Sequence, residues 1–109
     1  METIQNFINE IKIIKAKDYD YYNYDLNEDE LLTGTISSDT TINVYIMDSK
    51  NLRYYEDRKE FSGEIEKEYI KNTSIDFVCP KTGKWHLLME NYEEDDANVN
   101  LKIKLTPSK

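Results

Sequence analysis

The sequence has few glycines and prolines, a single cysteine, a single histidine and no long apolar run. Its three glycines do not cluster, so a phosphate-binding loop of the P-loop type is excluded. No apolar run approaches the roughly 20 residues that a membrane helix needs. With one cysteine, no internal disulfide can form, which leads us to expect a reducing compartment. Cys79 lies in an apolar run, which predicts a small buried side chain rather than a nucleophile.

Positive charge is also scarce. The chain has 14 lysines and arginines against 22 aspartates and glutamates, a net charge of −8. Such a surface repels phosphate backbones and anionic lipids, and no basic stripe offsets it, so we expect neither nucleic acid nor a membrane as partner. The N-terminus lacks the basic and then apolar regions of a signal peptide, so we expect a cytoplasmic protein.

What the sequence does contain is alternating apolar and polar residues, rich in Ile, Thr, Tyr and Val. This pattern predicts about seven to eight strands in one all-β domain over residues 1–109, an antiparallel β-sandwich. The predicted strands are Ile11–Ala16, Tyr19–Leu26, Leu31–Ser37, Thr41–Met47, an edge strand near Ile65–Ile70, Ser74–Cys79, Lys84–Asn91 and Ala97–Leu105, with a turn at Ser37–Asp39.

Four segments depart from this alternation. Apolar residues at helical spacing predict a short helix within residues 1–10, over about Thr3–Glu10. Leu52–Tyr55 has the pattern of one helical turn, and Glu56–Glu68 is a long charged excursion, which is uncommon in a compact domain unless it has a function. Residues 106–109 are predicted to form a flexible tail.

The late strands define the predicted core. In the predicted strand Lys84–Asn91, alternation places Trp85 on the inward-facing side near the start of the strand. The predicted strand Ala97–Leu105 alternates apolar and polar residues without a break. The side chains predicted to point into the core are Trp85, Leu87, Met89, Val99, Leu101, Ile103 and Leu105.

The segment Ile46–Tyr55, and after the excursion Ile75–Glu90, resembles a small bacterial family, domain of unknown function 1883, which is attached to TIR domains in some proteins. The likeness covers roughly Ile42 to Leu105, although the acidic segment Asn91–Asp96 replaces a glycine-rich stretch of that family. The resemblance implies a compact β-sandwich and no established active site. The matching residues are Met47, Asp48, Tyr54, Pro80, Gly83, Trp85 and His86.

The front half, Tyr22 to Ile36, is more generally similar to jelly-roll modules, the pre-peptidase C-terminal domain and the GOLD domain. These share its rhythm of strand, polar turn and strand. The resemblance implies a β-sandwich of jelly-roll type and assigns no catalytic residue.

His86 is the only histidine, and no Gly-x-Ser-x-Gly context accompanies it. A structural or solvent-facing role is therefore favoured over catalysis. Zinc is disfavoured because structural sites use about four Cys or His ligands. We expect a protein that is not an enzyme and has no cofactor.

The acidic loop offers a candidate metal site. Calcium binds 6–8 oxygen ligands, often in loops of β-sandwich modules. A solvated acidic turn is the favoured interpretation, and calcium is the alternative. The candidate ligands are Glu93, Glu94, Asp95 and Asp96.

Tyrosines are the most informative surface feature, with nine in the chain. Those of the second strand cannot all face one core if that strand alternates. Exposed tyrosines with acidic neighbours suit protein or sugar contacts. The candidate binding residues are Tyr19, Tyr21, Tyr22, Tyr24, Tyr54, Tyr55, Phe61, Tyr92 and His86.

These patterns favour a non-enzymatic binding module that acts through protein–protein contact. The association of the resembling family with TIR domains points to bacterial sensing, stress or defence. A carbohydrate- or calcium-binding accessory domain is the alternative. A second copy of the chain, joined through an edge strand or the tyrosine surface, is another candidate partner.

Overall fold

The computed structural model describes residues 7–107. Six strands and one helix make up this part of the chain. They are β1 Phe7–Ile14, β2 Tyr19–Leu26, β3 Leu31–Asp48, α1 Ser49–Glu56, β4 Ile65–Val78, β5 Gly83–Glu90 and β6 Ala97–Thr106.

All strand pairs are antiparallel and belong to one sheet, in the order β1-β6-β3-β5-β2, with β4 also paired to β3. The long strand β3 joins the two halves of this sheet. Its residues 31–38 pair with β6, and its residues 43–48 pair with β5. β4 pairs with both portions of β3, so it follows the opposite edge of that strand.

Two irregularities divide the long β3–β4 pairing. Residues 38–41 of β3 lie opposite Lys71 alone, and residues 68–69 of β4 lie opposite Asn43 alone. Extra residues on one strand of a pair bend it and increase its twist. The sheet is therefore curled, and side chains from both of its halves share one core.

The main core lines the inner face of the curled sheet. Trp85, Leu87 and Met89 of β5 are buried in it, which confirms their predicted inward face. Each large aliphatic side chain buried in this way contributes about 1.5–3 kcal/mol. The other strands add Ile14, Tyr24, Leu26, Leu32, Ile36, Ile42, Val44, Ile46, Ile75, Phe77, Ala97, Val99, Leu101 and Ile103, with Cys79 after β4 and half-buried Leu105.

Residues 7–107 form six strands rather than the predicted seven to eight. The predicted turn at Ser37–Asp39 lies inside β3. Ser37 is paired on both sides and Ser38 with β6 alone, while the Asp39 carboxylate accepts two hydrogen bonds from Asn98 of β6. The predicted strands at Ile65–Ile70 and Ser74–Cys79 are likewise one strand, β4. The curled antiparallel sheet agrees with the all-β class, and its jelly-roll description stays a prediction.

The prediction of an N-terminal helix is wrong for the residues that the structure describes. Phe7–Glu10 belong to β1, where Phe7 pairs with Lys104 of β6. The apolar spacing that suggested a helix belongs instead to an edge strand. Residues 1–6 lie outside the described part of the chain. At the other end, Thr106 is the last residue of β6 rather than part of a tail, and residues 108–109 lie outside the described residues.

The helical turn predicted at Leu52–Tyr55 is confirmed and extends to a helix of eight residues, α1. Asp48 caps its N-terminus, because its Oδ1 accepts a hydrogen bond of 2.9 Å from the Asn51 backbone N–H. Leu52 is the buried residue that fixes α1 to the outer face of the sheet.

Gly34 should be indispensable because its backbone approaches β6 very closely. At its positive φ of 154°, a Cβ would lie 1.8 Å from the carbonyl oxygen of Lys102. We expect Gly34→Ala to destabilise the fold by more than about 3 kcal/mol in urea denaturation. Gly83→Ala is the matched control, since no atom lies within 4 Å of its Cβ position, and it should shift stability by less than about 0.5 kcal/mol. Equal effects of the two substitutions would contradict this account of the β3–β6 contact.

Candidate functional site

The outer face of the sheet, where β2, β5 and β3 lie side by side, carries most of the predicted surface tyrosines. The register places Glu90 of β5 between Tyr19 of β2 and Asn43 of β3. One row further along, Leu88 lies between Tyr21 and Tyr45 in the same way. Since alternate residues of a strand share a face, these two rows form one surface.

A second apolar cluster covers this face under α1. Its buried members are Tyr45, Met47, Leu52 and Leu88. Half-buried aromatic rings pack around them in edge-to-face geometry, which suits the charge distribution of aromatic rings. The ring centroids lie 5.1 Å apart in Tyr19–Tyr55, 5.1 Å in Tyr45–Phe61 and 5.3 Å in Tyr55–Phe61.

An open cleft of about 550 Å³ lies where these rings reach the surface, beyond the C-terminal end of α1. We call it the tyrosine cleft. Three cationic and three anionic side chains surround the three aromatic rings, so its charge is balanced. Its lining residues are Lys17, Asp18, Tyr19, Tyr55, Glu56, Arg58, Lys59, Phe61 and Glu90.

Tyrosine hydroxyls donate to carboxylates throughout this face. Tyr19 donates to Glu56 at 2.6 Å, and Tyr55 donates to Glu90 at 2.6 Å. The hydrogen bond to Glu56, with a smaller effect of burial, raises the pKa of Tyr19 to about 12. Burial and the hydrogen bond to Glu90 raise the pKa of Tyr55 further above its usual range. Both hydroxyls therefore stay protonated at neutral pH and hold the rings in fixed orientations.

Backbone strain is concentrated around the tyrosine cleft. Four non-glycine residues of the described chain have positive φ, and two of them, Lys17 at 61° and Arg58 at 60°, line the cleft. Arg58 lies two residues beyond the end of α1, where its N–H bonds to Tyr55 O and the N–H of Lys59 bonds to Tyr54 O. This motif usually has glycine at the left-handed position. Strained backbone of this kind tends to accompany functional sites.

The third strained residue, Tyr69 with φ 56°, lies in the β4 bulge opposite Asn43. Its ring stacks on Tyr92 with centroids 6.1 Å apart. Asn43 connects this bulge to the tyrosine cleft: its Oδ1 accepts from the Tyr69 backbone N–H at 2.9 Å, and its Nδ2 donates to Glu90 at 3.2 Å. A continuous chain of hydrogen bonds therefore runs from Tyr69 through Asn43 and Glu90 to Tyr55.

The predicted surface tyrosines divide between the two faces of β2. Tyr19 and Tyr21 belong to the outer cluster, whereas Tyr22 and Tyr24 pack against the main core. Tyr22 also donates a hydrogen bond to Glu10 of β1. Tyr54 is a half-buried residue of α1 and does not line the cleft.

His86 is 5% exposed and lies on β5 beneath the start of α1. Its Nε2 is 2.8 Å from Ser49 Oγ, and its Nδ1 is 2.7 Å from Asn23 Oδ1. Burial lowers the pKa of the imidazole below 6.5, so the ring is neutral at pH 7. Because an amide oxygen only accepts, Nδ1 carries the proton and Nε2 accepts from the Ser49 hydroxyl.

This serine, histidine and asparagine arrangement resembles the order of a hydrolytic triad, but its surroundings favour a structural role. Ser49 is the first residue of α1, and Asp48 caps the same helix end with its carboxylate. Burial alone would raise the pKa of Asp48, yet the hydrogen bonds from Asn51 lower it overall, so the carboxylate is charged. A negative charge beside Ser49 opposes the oxyanion that acyl transfer must stabilise. The contacts instead join α1 to β5 and β2.

The acidic loop spreads its side chains over separate partners. Asp96 accepts from the Ala16 backbone N–H at 3.0 Å, Glu93 accepts from Thr41 at 2.6 Å, and Glu94 pairs with Lys17 at 3.2 Å. Asp95 is exposed. Among the residues that the structure describes, no three His, Cys, Asp or Glu side chains are grouped in a way that could hold a metal ion.

The sequence interpretation missed several surface residues. The sequence placed Tyr69 with the tyrosines near strand ends or loops but not among the candidate binding residues, because no residue pattern marks a bulge with a tyrosine in the left-handed region. On the opposite half of the sheet, edge strand β1 exposes three large apolar side chains, of which one lies in the predicted helix Thr3–Glu10 and two lie in the predicted strand Ile11–Ala16. They are Phe7, Ile11 and Ile13.

No helix in residues 7–107 combines the length and apolar character needed to cross a membrane. Cys79 is fully buried, and burial raises the pKa of its thiol, as expected for a structural side chain rather than a nucleophile.

No protein-family model matches the chain, and no curated protein sequence matches it. Solved structures do share its fold. One is PliG of Aeromonas hydrophila, a periplasmic inhibitor of g-type lysozyme, with a TM-score of 0.70 and 8% identity over 97% of this chain and 93% of that one.

Two further structures are similar over most of their length. The pre-peptidase C-terminal domain of a Bacillus anthracis collagenase has a TM-score of 0.62 and 13% identity over 89% of this chain and 90% of that one. The Yersinia pseudotuberculosis-derived mitogen has a TM-score of 0.61 and 11% identity over 95% of this chain and 89% of that one. At these identities the likeness concerns the fold alone. It supports the resemblance to the pre-peptidase module, whereas no family model supports the one to domain of unknown function 1883.

Removing the hydroxyl of Tyr24 and removing that of Tyr55 should affect the free energy of unfolding differently. In the described part of the chain, the buried hydroxyl of Tyr24 has no hydrogen-bond partner, whereas that of Tyr55 is bonded to Glu90. We expect Tyr24→Phe to keep or raise the free energy of unfolding in urea, and Tyr55→Phe to lower it by about 1–2 kcal/mol. An equal loss in both variants would contradict the assigned role of the hydroxyl–carboxylate bonds.

His86 should make stability depend on pH in the mildly acid range. Below its usual pKa of 6.5, the unfolded chain binds a proton that the buried imidazole resists, so the free energy of unfolding falls as pH falls. We expect wild type to lose stability between about pH 7.5 and about pH 5.5, and His86→Gln to lose less over the same interval. A wild-type profile that is flat over this interval would contradict the buried, neutral histidine.

Proposed function

We propose that this chain is a non-enzymatic binding module that acts through protein–protein contact at the tyrosine cleft. The concentration of strained backbone around that cleft carries the proposal. Of the four left-handed non-glycine residues in the described chain, Lys17 and Arg58 line the cleft and Tyr69 lies at the far end of its hydrogen-bond chain. Left-handed conformations of this kind cost stability, are held by the surrounding structure, and cluster at functional sites.

The composition of the cleft suits a protein partner. Tyrosine and arginine are enriched among the residues that dominate protein–protein binding energies, because each combines a large contact area with polar atoms. The cleft offers Tyr19, Tyr55 and Phe61 as aromatic surface, with Arg58 and Lys59 at its rim. The fixed hydroxyl–carboxylate bonds reduce the side-chain entropy that binding would remove.

The fold is compatible with this role, since PliG shares it and is named for inhibiting another protein. For this chain we propose a bacterial sensing, stress or defence context in the cytoplasm, on the resemblance to the TIR-associated family. We also propose that the curled sheet is a β-sandwich of jelly-roll type. A carbohydrate- or calcium-binding accessory role is the second candidate, and the dispersed hydrogen bonds and ion pair of the acidic loop do not favour calcium.

Site-specific photo-crosslinking in the native host tests the proposal. A crosslinking amino acid at Phe61 should capture a discrete protein, whereas the same amino acid at exposed Thr35, on the other half of the sheet, should not. In parallel, calorimetric titration of the purified chain with Ca²⁺ and a glycan panel should give no binding heat.

Adducts at Thr35 equal to those at Phe61 would contradict the assignment of the cleft. The absence of any protein adduct, together with saturable Ca²⁺ or glycan binding, would favour the accessory-domain alternative. A crosslink to a second copy of the chain would identify the partner as the protein itself.

A further inference from the structure

Tyr69 has a backbone conformation that is unusual for a tyrosine. The β4 bulge sets two residues against Asn43, and Tyr69 adopts the left-handed conformation with φ 56°. For a residue with a Cβ this conformation costs about 1–2 kcal/mol, and glycine avoids the penalty. The Tyr69 N–H is satisfied by the buried amide of Asn43, so the backbone contact does not depend on a tyrosine side chain.

The Tyr69 ring does not offset that energetic cost by packing in a core. Tyr69 is 71% exposed, and its neighbour Tyr92 is 44% exposed. Their rings stack at 6.1 Å with an interplanar angle of 29°, so together they present a broad aromatic surface to solvent. Two adjacent exposed rings at a strained position indicate a contact surface for a partner.

Acidic residues adjoin this pair along the chain, since Glu68 precedes Tyr69 and Glu93 follows Tyr92. Burial, followed by the carboxylates of Glu90 and Glu68, raises the pKa of Tyr92. Glu68 also accepts a hydrogen bond from Tyr45 at 2.7 Å and is exposed. Among the described residues, the one cation–π contact is between Lys12 and the Tyr22 ring. No lysine or arginine of the described chain therefore packs on the ring faces of Tyr69 or Tyr92.

We propose that the Tyr69–Tyr92 pair binds an arginine side chain on a basic segment of the partner protein, an inference that rests on the proposed function. A planar guanidinium stacks on an aromatic face and pairs with carboxylates at its edge, which a lysine ammonium does not match. Glu68, which directly precedes Tyr69, is exposed, and among the described contacts only its Oε2 accepts a hydrogen bond. The net charge of −8 favours encounter with a basic partner.

Two peptides test the proposal on the intact chain. One is a short acetylated peptide of alternating glycine and arginine, and the other is its lysine counterpart, each labelled for fluorescence anisotropy. We expect the arginine peptide to bind the wild-type protein about fivefold more tightly than the lysine peptide at ~0.15 M salt.

Tyr69→Gly is the decisive variant, because it should separate stability from binding. Removing the strained side chain should leave the urea midpoint unchanged or raise it, whereas affinity for the arginine peptide should fall about fivefold. Tyr92→Ala should weaken binding similarly. Val78→Ala, which truncates an exposed apolar side chain of β4 away from the bulge, is the matched control and should bind as wild type does.

Equal affinity for the two peptides, or undiminished binding by Tyr69→Gly, would overturn the arginine assignment. A large loss of stability in Tyr69→Gly would show that the ring supports the fold and would also overturn it. These failures are distinct from failure of the proposed function, because crosslinking at Phe61 reports a protein partner whatever side chain that partner presents.

Discussion

The bend in β3 is the constraint on which the rest of the structure depends. This strand pairs along one edge with β4 and along the other with β6 and then β5, so it belongs to both halves of the sheet. Its two halves can share a core only if the strand changes direction between residues 38 and 43, where the pairing with β4 is irregular. The close approach of Gly34 to Lys102 fixes one half of β3 against β6.

The same bend also produces the candidate site. Where β3 and β4 lose register, Asn43 faces the bulge and bonds to the Tyr69 backbone. The other end of the Asn43 amide reaches Glu90, which accepts from Tyr55 in the tyrosine cleft. An irregularity that closes the core is thus linked by hydrogen bonds to the surface proposed for binding. The outer cluster beneath α1 keeps that surface rigid while the main core supplies stability.

Alternation was sufficient to predict the inner faces of β5 and β6, because Trp85 and its neighbours follow a strict period of two. Alternation failed to predict the secondary structure where pairing with distant strands decides it. Ser37–Asp39 has the composition of a turn, yet pairing with β6 through Ser38 and the hydrogen bonds from Asn98 to Asp39 hold it extended. The sequence analysis divided β4 into two predicted strands, because the polar and charged residues along this edge strand obscure the alternation that marks one continuous strand. Phe7 and Ile8 are compatible with a helix by spacing alone, and only the β6 partner selects the strand.

The candidate site was accessible to sequence reasoning in part. Tyr19, Tyr55, Phe61 and Tyr92 were singled out as aromatic residues near strand ends and in the excursion, and the structure places three of them at the cleft and Tyr92 beside Tyr69. Left-handed tyrosine, arginine and lysine residues carry no such signal, since the conformation is imposed by the surrounding fold rather than by the residue type.

The most direct measurement of the central claim is hydrogen–deuterium exchange of the chain with and without the partner that crosslinking captures. The account predicts slower exchange on binding at residues 17–19, 55–61, 68–69 and 90–93, with β1 and β6 unchanged. Slower exchange confined to β1 and residues 98–104 of β6 would place the partner on the opposite half of the sheet and contradict the account.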